Sequence, residues 1–245
     1  MPVALLLLVV QITLVVHAAK TGRFSPWGYI LIFLPVAGAV AYVVVELIPE
    51  WFGSAQGQRA RGRVVKALDP ERRYRALSDQ FASVDTIGTR GALAEECLVL
   101  GKHWAALEHF NEILTRPMGD EPIYMLGRAR AEFGLGRFTD TVATLDELRS
   151  KWPDYQSADG HLLYARALEE AGRLDEAVDE YAAVSNYYPG AEARVRYGLL
   201  LRKLGRDTEA HALLTELLAQ MRRAPKYVRK LQAEWIAQAE RAVRG

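Results

Sequence analysis

The sequence has a single cysteine, Cys97, which excludes several kinds of stabilisation and chemistry. One cysteine cannot form an internal disulfide or a cysteine-based zinc cluster. A thiol nucleophile would also need a nearby histidine and an electropositive setting. Cys97 instead lies in an apolar helical stretch, so we expect it to be a small core residue.

Catalytic motifs are missing as well. The chain contains no His-Glu-x-x-His pair, Gly-x-Ser-x-Gly elbow, Walker loop or dinucleotide glycine fingerprint. His103 and His109 are six residues apart and cannot share a helix face for a metal, and His161 and His211 are far from each other in the sequence. We therefore expect no enzyme activity, no metal and no cofactor.

An excess of charge of one sign is also lacking, since the formal net charge of the 245 residues is +1. No overall field favours nucleic acid, and we expect no nucleic-acid partner. Charge is nevertheless unevenly distributed. Residues 59–75 contain seven basic and two acidic residues, and residues 222–230 contain five basic residues and no acid. Such runs are either solvated helix faces or contact surfaces.

Two long apolar runs are present near the N-terminus, at residues 3–19 and 28–47. The first could be a signal peptide cleaved after residue 18, although it has no basic residues before its apolar core. The alternative is a transmembrane hairpin with a polar turn at residues 20–23, which accounts for both runs together. Pro35 would kink the second helix, and a neighbouring side chain would satisfy the carbonyl that it frees. We favour the hairpin.

The stretch HAAKTGRFSPWGYILIFLPVAGAVAYVVVELIPEW, residues 17–51, resembles the N-terminal membrane hairpin found ahead of phospholipase D-type cardiolipin synthases. The resemblance implies an anchor in the bacterial inner membrane. It does not imply phospholipase D catalysis, because no histidine of this chain begins a His-x-Lys motif. The excess of basic residues after the second apolar run, compared with Lys20 and Arg23 in the turn, favours a cytoplasmic location for the remainder of the chain.

A repeat of about 34 residues follows. Gly101, Gly136, Gly172 and Gly205 each precede a basic residue, then a small residue five positions after the glycine and a large one nine positions after it. The small residues are Ala106, Thr141, Ala177 and Ala210, and the large ones are Phe110, Leu145, Tyr181 and Leu214. The glycines would end the first helix of each pair, and the small residues would let the two helices approach closely.

This pattern resembles the tetratricopeptide repeat, which is a helix-turn-helix unit of 34 residues. The resemblance implies an all-α protein in which about four helix pairs stack into an α-solenoid. The predicted organisation is a transmembrane helical hairpin at 1–51, a basic flexible linker at 52–68, and the solenoid with a C-terminal capping helix at 69–245. The basic face of that last helix has a second possible role, which is contact with a membrane or a partner.

By alignment to the family pattern, a set of first-helix residues should line the concave groove of the solenoid. Arg130, Arg166 and Arg202 are 36 residues apart and would offer forked donors to carboxylates. The alternative is that these are simply exposed arginines. The full predicted set is Leu126, Arg130, Phe133, Leu162, Arg166, Glu169, Val195, Leu199, Arg202 and Lys203.

The sequence thus predicts a membrane-anchored scaffold that binds a protein or an acidic peptide segment in the groove and contacts membrane lipids through the hairpin and the basic linker. A different possibility is an accessory subunit that regulates a membrane enzyme of envelope lipid metabolism. A homo-oligomeric scaffold assembled by hairpin packing is a third.

Overall fold

A computed structural model of the protein describes residues 2–21, 24–43, 45 and 69–244. The chain divides into two compact units, Met1–Arg72 and Arg73–Gly245. The predicted linker at 52–68 lies outside the described residues, as does the end of the predicted hairpin at 46–51.

In the first unit, the residues that the structure describes form three helices, α1 (Pro2–Lys20), α2 (Phe24–Phe33) and α3 (Pro35–Tyr42). Leu14, Ala18, Leu31 and Tyr42 form its small buried core. The buried Tyr42 hydroxyl lies 3.0 Å from His17 Nδ1, and its ring packs edge-on against Trp27 with centroids 5.3 Å apart. Apolar and aromatic side chains therefore hold the three helices together.

The second apolar run is not one straight helix, and the cause is Pro35. Proline has no N–H to donate to the carbonyl four residues earlier, which is that of Leu31. Gln11 Nε2 donates to this carbonyl instead, which confirms the expectation that a neighbouring side chain would satisfy it. The helix ends at Phe33, Leu34 takes a non-helical conformation, and α3 brings Tyr42 back to Trp27 and His17.

Among the residues that the structure describes, no helix combines the length and the apolar character needed to cross a membrane.

The second unit begins with a helix that covers the first repeat. This helix, α4 (Arg72–Ser83), has no fully buried residue, but Tyr74, Leu77 and Phe81 pack against the core of the next helix pair. The four pairs that follow are α5 (Ile87–Val99) with α6 (His103–Leu114), α7 (Pro122–Gly134) with α8 (Phe138–Lys151), α9 (Ala158–Glu170) with α10 (Leu174–Ser185), and α11 (Glu192–Lys203) with α12 (Asp207–Arg223).

The predicted turn glycines adopt the expected conformation. Gly101, Gly136, Gly172 and Gly205 have φ values of 70°, 72°, 79° and 76°, which side chains with a Cβ rarely adopt. After each glycine, the next backbone N–H donates back to the helix just ended, as Lys102 does to the Cys97 carbonyl at 2.8 Å. These are the hydrogen bonds of a glycine-terminated helix, and they turn the chain into the second helix of each pair.

Small residues at the helix crossings are also where the sequence predicts them. Ala106, Ala177 and Ala210 are fully buried. A Cβ placed on Gly198 would lie 2.7 Å from Leu214, which is closer than packed carbon atoms come. Cys97 is buried in the core of the first repeat, as expected of a core cysteine.

The C-terminal tail differs from the single helix that the sequence predicts. It forms two helices, α13 (Lys226–Leu231) and α14 (Ala233–Arg244), which are separated at Gln232. The Gln232 side chain accepts a hydrogen bond of 3.0 Å from the Ala191 backbone N–H at the start of α11, and this tether holds the break in place. Ala239 of α14 is buried together with Leu214, Leu217 and Val195, so α14 covers the last repeat as predicted.

Candidate functional site

The first helices of the four pairs, α5, α7, α9 and α11, are linked by side-chain contacts between successive repeats. We call these four helices the first-helix row. Glu95 contacts Arg130, Arg166 contacts Phe133, and Lys203 contacts Glu169. Each of these pairs joins one first helix to the next, so Arg130, Phe133, Arg166, Glu169 and Lys203 lie along a common row.

Arg130 is paired within the protein. Its Nη1 atom donates to both carboxylate oxygens of Glu95, at 2.9 and 3.1 Å. Both side chains remain about half exposed. A carboxylate from a partner could reach this arginine only in competition with Glu95.

Arg166 and Phe133 form a stacked pair. The guanidinium carbon lies 4.6 Å from the centre of the Phe133 ring, a distance typical of a cation–π contact. Phe133 also packs edge-on against Phe138, with centroids 5.2 Å apart. Burial lowers the pKa of the Arg166 guanidinium. The pair therefore offers a half-buried, partly desolvated surface of mixed aromatic and cationic character.

Glu169 connects the row to the core of repeat three. It accepts a hydrogen bond of 2.9 Å from the hydroxyl of the buried Tyr181 and lies 4.0 Å from Lys203. Burial, with the nearby Glu169 carboxylate, raises the pKa of the Tyr181 phenol. Lys203 is mostly exposed at the end of α11.

The other predicted groove residues are placed differently from one another. Arg202 donates a hydrogen bond of 2.6 Å to the Ala242 carbonyl and so holds the capping helix α14. Leu162 and Val195 are 3% and 0% exposed and belong to the core, whereas Leu199 is 37% exposed on the row. Leu126 packs against the core of repeats two and three. The accessible part of the set is thus Arg130, Phe133, Arg166, Glu169, Leu199 and Lys203.

A cavity lies between α8 and α9, and we call it the tyrosine cavity. Its volume is about 540 Å³, and Tyr155, Tyr164 and Tyr187 contribute to its walls together with Leu126 and Leu145. Burial raises the pKa of Tyr164 to about 12, and its hydroxyl donates to Asp146 at 2.6 Å. Tyr164 is therefore neutral near physiological pH, and most of the cavity wall is apolar.

The polar groups at this cavity contact one another. His161 lies between the Tyr187 hydroxyl and the Glu180 carboxylate and contacts both. Arg149 donates to the other Glu180 oxygen at 3.0 Å and lies over the Tyr164 ring at 5.0 Å. This chain of contacts fixes the wall of the cavity.

Within residues 2–21, 24–43, 45 and 69–244, no three His, Cys, Asp or Glu side chains come together in a way that could hold a metal ion.

Sequence reasoning did not identify Glu95 as a partner of the row, or the tyrosine cavity. The signal for Glu95 was available, because it precedes Arg130 by 35 residues, which is one repeat. The cavity is less accessible to such reasoning, because Tyr155 and Tyr187 lie between the predicted helices and their side-chain directions depend on tertiary packing.

Comparisons with known proteins agree with this geometry. The family model described as a tetratricopeptide repeat matches residues 126–187 and 165–227. The chain is also similar in structure to a thermophilic TPR protein from Thermus thermophilus, with a TM-score of 0.55 and 20% sequence identity over 75% of this chain and 97% of that one. At that identity the likeness concerns the fold. No curated protein matches the sequence. Residues 126–227 therefore match the tetratricopeptide-repeat model, within a TPR-like helical solenoid.

Proposed function

We propose that this protein is an interaction scaffold that binds an extended segment of another protein along the first-helix row. The observation that carries the proposal is the alternation of accessible charged and apolar groups on that row. Arg130, the Phe133–Arg166 stack, Leu199 and Lys203 follow one another from repeat two to repeat four. Extended concave surfaces of this kind are what stacked helical repeats use for binding.

We further propose that the bound segment is acidic. Arg130 and Lys203 are accessible cations of the row that are each held by an internal carboxylate, and Arg166 is a third, which stacks on Phe133. An acidic segment would replace Glu95 and Glu169 as the partner of these cations. Exposed ion pairs contribute little free energy, whether the carboxylate is internal or belongs to the bound segment. Apolar contacts at Phe133 and Leu199 would therefore supply much of the affinity.

The proposed location is the bacterial inner membrane, with the repeats on the cytoplasmic side. The support is in the sequence: residues 3–19 contain no charged residue and residues 28–47 contain one, and basic residues follow the second run. Membrane lipids and a second copy of the chain are further proposed partners of this N-terminal region. The alternative role, a regulatory subunit of an enzyme of envelope lipid metabolism, depends on the resemblance of residues 17–51 to the cardiolipin synthase hairpin.

Site-specific photocrosslinking in cells tests the binding face. A photoreactive residue at Arg130 or at Leu199 should capture the same partner, since both positions lie on the row. Matched controls are Ala143 on α8 and His211 on α12, which are exposed on second helices. Capture of that partner from the second helices and not from the row would reject the proposed face.

A further inference from the structure

Residues 222–231, at the end of α12 and in α13, carry cations that no described residue of the protein neutralises. We call them the C-terminal basic segment. In the part of the chain that the structure describes, its cations form no ion pair and no side-chain hydrogen bond. All five are exposed, and the segment contains no acid. They are Arg222, Arg223, Lys226, Arg229 and Lys230.

Two apolar side chains project from the same short helix. Tyr227 and Leu231 are 70% and 76% exposed, and α13 has no buried residue. They are four residues apart and therefore lie on one face of the helix. Lys230 falls on the same side, while Val228 is half-buried. The exposed arc of α13 thus combines positive charge with unpaired apolar surface.

A groove of about 310 Å³ adjoins this segment, between α12, α13 and α14. Its walls include the apolar side chains of Leu218, Met221, Ile236 and Val243. Arg222, Arg229 and Arg244 also line it, with Glu240 as the acid that faces it. Glu240 lies 3.8 Å from Arg244, which leaves Arg222 and Arg229 available to an anion.

We infer that the C-terminal basic segment binds the surface of a bilayer that contains anionic phospholipids. The five cations contact lipid phosphates, Tyr227 and Leu231 enter the region between headgroups, and the groove accommodates part of an acyl chain or glycerol backbone. Basic helices with exposed apolar residues bind membranes in this way, by charge attraction and apolar burial together.

A lipid surface explains the segment better than an acidic polypeptide does. An aromatic and an aliphatic side chain are exposed among five cations beside an apolar groove, and this combination matches the charged headgroup and the apolar chain of a lipid. A tyrosine beside lysine and arginine is typical of the membrane–water interface. The inference extends the proposed membrane attachment, which concerns the N-terminus, to the other end of the chain.

The test uses the full chain and vesicles of phosphatidylcholine alone or of phosphatidylcholine and phosphatidylglycerol in equal parts. An environment-sensitive dye is attached at Leu231→Cys in a Cys97→Ala background, because Cys97 is buried. Its emission should move to shorter wavelength on the anionic vesicles only. In about 1 M salt, where the screening length is about 3 Å, the shift should largely disappear. A dye at Val99→Cys, an exposed position in repeat one, should show no shift.

Charge reversal tests whether the vesicles bind this particular segment or respond only to the overall charge of the protein. The triple variant Lys226→Glu, Arg229→Glu and Lys230→Glu should lose the dye shift. Loss of the three positive charges alone, before the added negative charges are considered, should weaken binding to anionic vesicles about 100-fold, which is roughly fivefold for each cation. The matched control, Lys151→Glu, Arg173→Glu and Arg206→Glu, changes the net charge equally at exposed residues of the repeats. It should retain the shift, and circular dichroism should show both variants folded.

Vesicle flotation, recorded in the same samples, separates this inference from the N-terminal anchor. Protein that floats without a dye shift on anionic vesicles would overturn the C-terminal contact and leave the anchor standing. An equal shift on neutral vesicles, or one that survives the triple reversal, would also overturn it. So would a shift produced only by poly-glutamate in the absence of vesicles, since that would assign the segment to an acidic polypeptide. A dye shift on anionic vesicles with no flotation on neutral ones would support the inference and count against the anchor.

Discussion

The cations of the first-helix row and those of the C-terminal basic segment differ in what they contact. On the row, Arg130 pairs with Glu95, Arg202 donates to the Ala242 carbonyl, and Arg166 stacks on Phe133. In the C-terminal basic segment, the five cations have no such partner among the described residues. Positive charge therefore helps to hold successive elements together in the row, whereas in the segment it is available for an external anion.

The same contrast applies to the aromatic residues. Tyr181 is fully buried in repeat three and donates to Glu169, while Tyr227 is 70% exposed. A residue type that stabilises the fold in one region thus contributes little to it in the other. Paired substitutions, one in each region, can measure how far the two regions differ in their contribution to stability.

The largest expected effect comes from the two tyrosines. Tyr181→Ala should lower the free energy of unfolding by about 3–5 kcal/mol, because it opens a cavity in the core. Tyr227→Ala should change it by less than about 0.5 kcal/mol, as is usual for exposed positions. Chemical unfolding followed by circular dichroism measures both. Similar losses of stability in the two variants would show that Tyr227 also packs against the fold, which would contradict the contrast between the two tyrosines.

A buried polar network in repeat two should give the next largest effect. Thr144 is 2% exposed, donates to Glu132 at 2.7 Å and accepts from Arg128 at 2.8 Å. Thr144→Val keeps the shape but leaves Glu132 without this donor, so we expect a loss of about 1–3 kcal/mol. The control is Thr139→Val on the exposed side of the same helix, which should be nearly neutral. A neutral result at Thr144 would mean that Arg128 alone satisfies the carboxylate.

The pH dependence of the same network follows from Glu132. Burial raises its pKa, against the opposing influence of Thr144 and Arg128. The folded state then binds the proton more tightly than the unfolded state, so this group stabilises least when it is ionised. Relative to Glu132→Gln, the wild type should lose stability as the pH rises from about 4.3, the ordinary glutamate value, towards the folded-state value. The slope cannot exceed about 1.4 kcal/mol per pH unit for one proton. Unfolding curves recorded at a series of pH values from about 4.3 upwards measure this slope. A gain in stability with rising pH, relative to Glu132→Gln, would contradict a raised pKa of Glu132.

Arg202 tests whether a cation of the row acts as a tether. Arg202→Ala removes the hydrogen bond to Ala242 and should cost about 1 kcal/mol. Because that bond reaches α14, hydrogen exchange should accelerate in residues 233–244 more than in repeat two. Lys203→Ala, one residue further on, should leave the exchange of α14 unchanged. Equal acceleration in the two variants would assign the effect to the end of α11 and not to the tether.

Much of the fold could be predicted from the sequence, since it depends on local features that recur. The glycines with positive φ, the buried alanines and the large residues such as Tyr181 lie where their spacing predicts. The break at Gln232 was not predictable in this way, because it depends on a hydrogen bond to Ala191, 41 residues earlier. The fold of the second apolar run likewise depends on contacts of Tyr42 with His17 and Trp27.

The candidate site was less predictable than the fold. Periodicity placed Arg130, Arg166 and Arg202 on one row, but it could not tell which neighbour each one contacts. These contacts depend on the lateral packing of helices from different repeats, as the Arg166–Phe133 stack shows. Leu162 and Leu199 belong to the same predicted groove, yet one is buried and the other exposed. The two leucines lie at different positions of their first helices, since Leu162 precedes Gly172 by ten residues and Leu199 precedes Gly205 by six.

The smallest effect, and the sharpest test of the contrast, is the coupling between Glu95 and Arg130. Both side chains are about half exposed, so a double-mutant cycle with Glu95→Gln and Arg130→Gln should give a coupling of about 0.2–1 kcal/mol. High salt should reduce this coupling, since the pair is open to solvent. The same cycle between Glu95 and Lys230→Gln should give none, because Lys230 has no described partner. If the first coupling were also absent, Arg130 would be as free to bind an external carboxylate as the C-terminal cations, and the acidic segment proposed for the row would meet no competition from Glu95.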